Sequence, residues 1–148
     1  MALSEFPAPA KLNLFLHVVG RRPDADLVFA EAGRRAARRA ARRLFGISRL
    51  AARAAPRVFG FGAARRAARA VLGAELKREA RVPVARVPDT LAISATPDGA
   101  ACTLYAAGVS ELLRLLAGME GAMVHTACRA TGADRCEWRA AAPDPRHQ

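Results

Sequence analysis

From Arg34 to Arg43 the chain reads RRAARRAARR, a repeat of paired arginines and paired alanines with a four-residue period. Only a helix separates such a pattern into two faces, because residues three and four apart stack on one side of a 3.6-residue turn. Arginines 34, 35, 38, 39, 42 and 43 then form a cationic stripe, while alanines 36, 37, 40 and 41 form a small apolar one leading into Leu44 and Phe45. Asp26 is placed to cap this helix, which starts at Leu27 and stops at Gly46. Like charges four residues apart weaken an isolated helix, so packing or an anionic partner must help to hold it. Apolar residues make up 52% of the 148, but many are alanine and aromatics are only 5%, which predicts a thin core of small side chains.

The formal charge is +11, carried almost wholly by arginine. Such a charge admits nucleic acid or an anionic membrane as a partner through Arg34, Arg35, Arg38, Arg39, Arg42 and Arg43, and equally a plain solvated face. No run of 18 apolar residues occurs, so no membrane span is expected, and no cleavable signal segment is read at the start. Three cysteines, Cys102, Cys128 and Cys136, make no disulfide framework; reduced thiols in a cytoplasmic protein fit them better.

Elsewhere the period changes. Leu12, Leu14, Leu16 and Val18 alternate, which predicts a strand ended by Gly20 and Pro23. Ser48 can cap a short helix interrupted by Pro56, FGFG at 59–62 reads as a break, and a further helix runs from Ala63 to Gly73. Residues 75–87 alternate imperfectly around Pro83, with Pro88 following, as an edge strand or bulge would. Residues 89–99 read as a short strand and a turn. Residues 102–117 form an amphipathic helix stopped by Gly118, and residues 143–148 a frayed tail.

Residues 121–141 read as a β-hairpin whose register polarity can decide. Setting Cys128 opposite Cys136 puts Thr126 opposite Trp138 and Val124 opposite Ala140 on one apolar face. Arg129 with Arg135, Ala127 with Glu137 and His125 with Arg139 then fall on the other. The turn is Thr131-Gly132-Ala133, with Gly132 best able to take positive φ. Two inward thiols on neighbouring strands admit small buried hydrophobes, a redox pair, or metal ligands together with Cys102. His125 lies an odd number of residues from Cys128 and so points to the opposite face, which leaves a zinc set without its fourth member. No metal and no cofactor are therefore assigned.

The segment from about Ala101 to Ala140 resembles 4-vinyl-reductase (4VR) domains of the bacteriochlorophyll type. The shared pattern is Tyr105-Ala-Ala-Gly108, the apolar helix LLRLLAGMEGA, a strand ending in Cys128, a glycine-containing turn, and Cys136-Glu-Trp138; AEAGRR at 30–35 extends it, so that the likeness spans residues 27–141. It implies an α/β (α+β) fold, helices packed on a small antiparallel sheet, similar to the trafficking-complex ligand-binding superfamily. It also implies a ligand-binding or carrier module for a small hydrophobic or tetrapyrrole-type molecule, with Tyr105, Leu112, Leu116, Cys128, Cys136 and Trp138 as pocket walls, in the setting of bacteriochlorophyll biosynthesis. A homodimer is compatible with it.

Residues 6–24, FPAPAKLNLFLHVVGRRPD, resemble the start of the 4-diphosphocytidyl-2-C-methyl-D-erythritol kinases, isoprenoid-pathway members of the GHMP kinases. The resemblance implies substrate-site roles for Lys11 and Asn13. It stops at Ala25-Asp26-Leu27, where the family continues Gly-Tyr-His. Phosphoryl transfer needs a phosphate cradle and a magnesium site, and no glycine- and serine-rich loop follows here. The sequence thus divides into a kinase-like segment (1–25), a 4VR-like domain (26–142) and a tail. No independent catalytic activity is expected and no catalytic residue is assigned; a kinase fragment is the alternative.

Overall fold

The computed structural model describes residues 24–43, 59–88, 91–94, 96 and 98–141. The predicted strand at 12–18, Lys11, Asn13, the helix after Ser48 and the tail lie outside these residues. The elements are α1 (Ala25–Arg43), α2 (Phe61–Leu72), β1 (Glu75–Glu79), β2 (Val82–Val87), the single turn α3 (Leu91–Ser94), α4 (Cys102–Leu112), β3 (Met123–Ala127) and β4 (Cys136–Ala140). The architecture is α+β: helices packed on one face of a four-stranded antiparallel sheet in the order β1-β2-β4-β3.

The period-four repeat does form a helix. Gly33, Ala37, Ala40 and Ala41 are buried along α1, and Ala63, Ala64, Ala67 and Ala68 along α2. Helices lined with alanine and glycine approach closely, since no long side chain holds the axes apart. Gly33 carries this furthest: a Cβ there would overlap the Leu104 carbonyl oxygen of α4, and one at Gly108 would come within 2.9 Å of Leu72 Cδ1. Asp26 sits in the first turn of α1 rather than at its cap, and the backbone carbonyl of Asp24 accepts from Leu27 and Val28. Glu111 of α4 is 7% exposed and accepts from Arg38 of α1 at 2.9 Å and Arg114 at 2.8 Å. The Arg114 guanidinium, and after it Arg38, hold its carboxyl at about 2, below the usual range.

Three sequence expectations are corrected here. The helix expected from Ala63 begins two residues earlier, at Phe61, within the FGFG stretch; Gly60 is buried where a Cβ would overlap the Leu116 carbonyl, so it serves close packing. Residues 75–87 form two strands joined by Ala80 (φ 47°) and Arg81 (φ 70°), a two-residue turn with both positions left-handed. Residues flanking such a turn exchange the hydrogen bonds, so Pro83, opposite Arg78, turns its nitrogen away from β1. On the other side the pairing with β4 begins only at Val84, so the missing N–H costs no ladder bond. The predicted strand at 89–99 is instead the helical turn α3. Val87 already pairs with Cys136 and β2 has neighbours on both sides, which leaves no edge there for another strand.

The residues of α4 continue through one π-helical turn, Leu113–Ala117, and stop at Gly118 (φ 62°), as predicted. On the sheet, Leu76, Ala85, Val87, Cys136 and Trp138 face the helices and are at most 1% exposed. The opposite face carries a charged lattice in which Arg86 bonds Glu79 at 2.6 Å and Glu137 at 2.7 Å, and Arg139 bonds Glu79 at 2.7 Å. Those guanidinium partners, Arg86 first, depress the Glu137 carboxyl.

Candidate metal centre

The C-terminal hairpin exists, with Gly132 at φ 96° in its turn, but its register differs from the one polarity selects. His125, not Thr126, stands opposite Trp138; Val124 stands opposite Arg139; Ala127 stands opposite Glu137. A β-bulge between His125 and Ala127 inserts one extra residue on β3. A bulge reverses the parity of every residue beyond it, which is why counting odd and even positions misplaces His125. His125 lies on the helix-facing side, its ring stacked on Trp138 with centroids 4.9 Å apart and planes 10° apart.

Cys128 lies just past β3 with extended backbone (φ −136°, ψ 132°), so it does not pair with Cys136 across a ladder. It turns toward the start of α4. Cys102, the first residue of α4, has its Sγ 3.9 Å from that of Cys128 and 3.8 Å from that of Cys136. With a ring nitrogen of His125, the three sulfurs form a set of four ligand atoms all within 4.8 Å of one another. Sequence reasoning considered Cys102 only as a third thiol and set His125 aside; the structure brings both in.

Three elements position the cluster. The loop before α4 is pressed against it at Gly99 (φ 75°), where a Cβ would sit 3.6 Å from Cys128 Sγ and 3.9 Å from Cys102 Sγ. The backbone N–H of Arg129 donates to Cys136 Sγ at 3.4 Å, as hairpin turns that hold a thiolate do. The N-terminus of α4 aims its positive end at Cys102. Burial, then the neighbouring thiols, pushes the Cys102 thiol far up, and burial does the same to Cys136. Without a cation these sulfurs keep their protons; a bound metal would replace them. Burial lowers the His125 imidazole, leaving it neutral and able to offer a lone pair at neutral pH.

The donor set fits zinc. A tetrahedral ion with metal–sulfur bonds of about 2.3 Å holds its ligand sulfurs roughly 3.8 Å apart, edge to edge of the tetrahedron. Two of the ligand separations, 3.8 and 3.9 Å, match that edge and the whole set lies within 4.8 Å, whereas a disulfide would need about 2 Å. No disulfide links the three cysteines. Cys102, His125, Cys128 and Cys136 are thus a candidate Cys₃His ligand set.

Of the residues predicted to wall a pocket, Cys128 and Cys136 belong to this cluster and Tyr105 and Trp138 lie on its side of the core, whereas Leu112 and Leu116 lie about 15–20 Å further along the helix. Tyr105, Leu112, Leu116, Cys136 and Trp138 are buried in one apolar cluster, Cys128 is half-buried against it, and the Tyr105 and Trp138 rings lie 5.8 Å apart. An open groove of about 450 Å³ between α1 and the end of α4 is lined by Arg34, Ser110, Glu111, Arg114 and Glu120, and by none of those six. No described helix is long and apolar enough to cross a membrane.

Comparison with known proteins finds no matching family model and no matching solved structure, so the 4-vinyl-reductase likeness rests on its motif alone. The matches are to a segment. The chain is 82% identical over 22 residues to 4-diphosphocytidyl-2-C-methyl-D-erythritol kinase of Aromatoleum aromaticum, and 86% over 22 residues to that of Ralstonia pickettii. To the enzyme of Bordetella pertussis it is 79% identical over 24 residues. These stretches are 15–16% of this chain, and the chain spans about 8% of the length of the curated relatives it matches.

Proposed function

We propose that the domain is a zinc-clamped ligand-binding or carrier module. In this reading Cys102, His125, Cys128 and Cys136 hold the ion and pin α4 to the β3–β4 hairpin. The observation that carries it is the convergence of three sulfurs and one imidazole from a helix and two strands within 4.8 Å. All four positions are then filled by protein, which describes a structural or regulatory ion rather than one with a site open to substrate. A zinc clamp also suits a chain whose helices contribute mainly alanine, because metal binding adds directly to folding free energy.

The carrier half of the reading takes up the 4-vinyl-reductase likeness. What supports it is that Tyr105, Leu112, Leu116 and Trp138 belong to one buried apolar core that also takes in Cys102 and Cys136. The ligand class would be a flat hydrophobic molecule such as a tetrapyrrole, entering where α4 meets the sheet.

Protein purified without chelator and measured by elemental analysis should hold about one zinc per chain. Cobalt loading should give a thiolate-to-metal charge-transfer band. His125→Ala, at the sheet edge, should keep the fold and weaken metal retention, whereas Cys136→Ser should abolish it. Protein that retains neither zinc nor cobalt after reconstitution sinks the clamp. A protoporphyrin titration then separates the two halves: a zinc-loaded protein with no saturable spectral change keeps its clamp and loses its carrier role.

A second reading, a fragment of the isoprenoid kinase, is favoured by the 22-residue match. Phosphoryl transfer from ATP to the cytidyl substrate tests it directly, and the expected outcome is no turnover.

A further inference from the structure

The three thiols of the cluster are not equally open. Cys102 and Cys136 are 3% and 0% exposed, while Cys128 is half-buried. Cys136 lies on β4, paired with Val87 of β2, and its Sγ accepts from the Arg129 N–H at 3.4 Å, so its backbone and its sulfur are both held. Cys128 lies past the end of β3, outside the ladder. Its carbonyl accepts from the N–H groups of Thr131 and Ala133, both at 3.1 Å, which leaves rotation about Cα–Cβ as the motion open to its sulfur. Gly99 carries no side chain to cover that sulfur; a Cβ there would sit 3.6 Å from it. Cys102 Sγ is 3.9 Å away, so a disulfide between the two needs an approach of about 2 Å.

We propose that Cys128 is a peroxide-sensitive thiol whose oxidation pairs it with Cys102 and opens the metal cluster. The inference rests on the zinc-clamp reading and names how that clamp is regulated. As a metal ligand Cys128 is a thiolate, the nucleophilic form of the side chain. It attacks one oxygen of hydrogen peroxide; the O–O bond breaks, hydroxide leaves, and Cys128 becomes a sulfenic acid. The Cys102 thiolate then attacks the Cys128 sulfur and expels a second hydroxide. Two thiolates have lost two electrons between them, and one S–S bond has replaced one O–O bond. Only Cys136 and His125 are left as ligands, where a closed site needs four. Those two do not retain the ion, yet the new bond still ties the start of α4 to the hairpin. This pair differs from the one the sequence offered, Cys128 with Cys136 across two strands.

The test uses the full-length, zinc-loaded chain and hydrogen peroxide. A chromogenic chelator follows zinc release, and mass spectrometry after alkylation in denaturant maps the cysteines. Release of about one zinc per chain is expected in step with a Cys102–Cys128 disulfide, with Cys136 alkylated as a free thiol. Dithiothreitol and added zinc should restore both thiols and metal. Two zinc-free variants isolate the point of entry. Cys136→Ala, which keeps the proposed pair, should form the same bond. Cys128→Ala, which keeps only the two buried thiols, should form a disulfide at least roughly tenfold more slowly. Circular dichroism checks that both are folded; where one is not, the map of the unaltered chain decides alone. A predominant bond to Cys136, Cys128 oxidised beyond sulfenic acid with no disulfide, zinc retained under peroxide, or equal rates in two folded variants overturns the proposal. The clamp survives each of those results. A chain that takes up no zinc before peroxide is added removes the clamp and this inference together.

Discussion

The helical layer and the hairpin corner of this domain are built by opposite means. In α1 and α2 the buried residues are nearly all alanine or glycine, and contact comes from backbones brought close together. At the corner where β4 meets the start of α4, Trp138, Tyr105 and three thiols fill the space with large or polarizable side chains. Each buried alanine removes little apolar area from water, so the helical layer contributes many small increments. Trp138, 1% exposed and flanked by Tyr105 and His125, concentrates a large area at one position. The difference places failure in different hands: the helices fail by being overfilled, the corner by being emptied.

The largest effect should come from emptying the corner. Trp138→Ala removes the side chain shared by α4, β3 and the cluster, and should cost about 3–5 kcal/mol in denaturant unfolding. A loss below about 1 kcal/mol would mean that the corner is no denser than the helices, and the comparison would break. Overfilling comes next. Gly33→Ala adds one methyl, normally a gain in a helix, but here it meets the Leu104 carbonyl and forces α1 away from α4. The expected cost is about 1–3 kcal/mol, with opposite sign to the gain of up to about 1 kcal/mol from helix propensity alone. Stabilisation by Gly33→Ala would show that the two helices are not in close contact there.

The two regions also differed in how far the sequence disclosed them. The alanine–arginine period predicted the start of α1 to within two residues, because a helix face depends only on local spacing; the predicted stop at Gly46 lies outside the described residues. The glycine stops at Gly73 and Gly118 were likewise local, and both have φ near 60°. The hairpin was legible as a hairpin, with Gly132 in its turn, but its register was not. The bulge at His125–Ala127 leaves no composition signal, since neither residue is a glycine or proline. The candidate ligand cluster was illegible for a related reason. Its members come from positions 102, 125, 128 and 136, and the parity that excluded His125 was the parity the bulge reverses. Cys102 sits on a separate element whose approach to the hairpin is set by long-range packing. Gly33 was visible as a glycine within a helical run, but what it makes room for lies more than seventy residues away at Leu104.

The smallest predicted effect bears on that register most directly. Val124 is 50% exposed and lies opposite Arg139 on the charged face of the sheet. The polarity-selected register would instead put it inward, opposite Ala140. Val124→Thr keeps the β-branched shape and exchanges a methyl for a hydroxyl, so the two registers predict different costs. On an exposed face the change should stay within about 0.5 kcal/mol, since the hydroxyl is met by water. Facing the core, an unpartnered hydroxyl would cost about 1–3 kcal/mol. Measured beside Trp138→Ala in the same urea series, a near-neutral Val124→Thr supports the bulged pairing that brings His125 to the thiols. A cost above 1 kcal/mol would restore the unbulged ladder and remove His125 from the cluster.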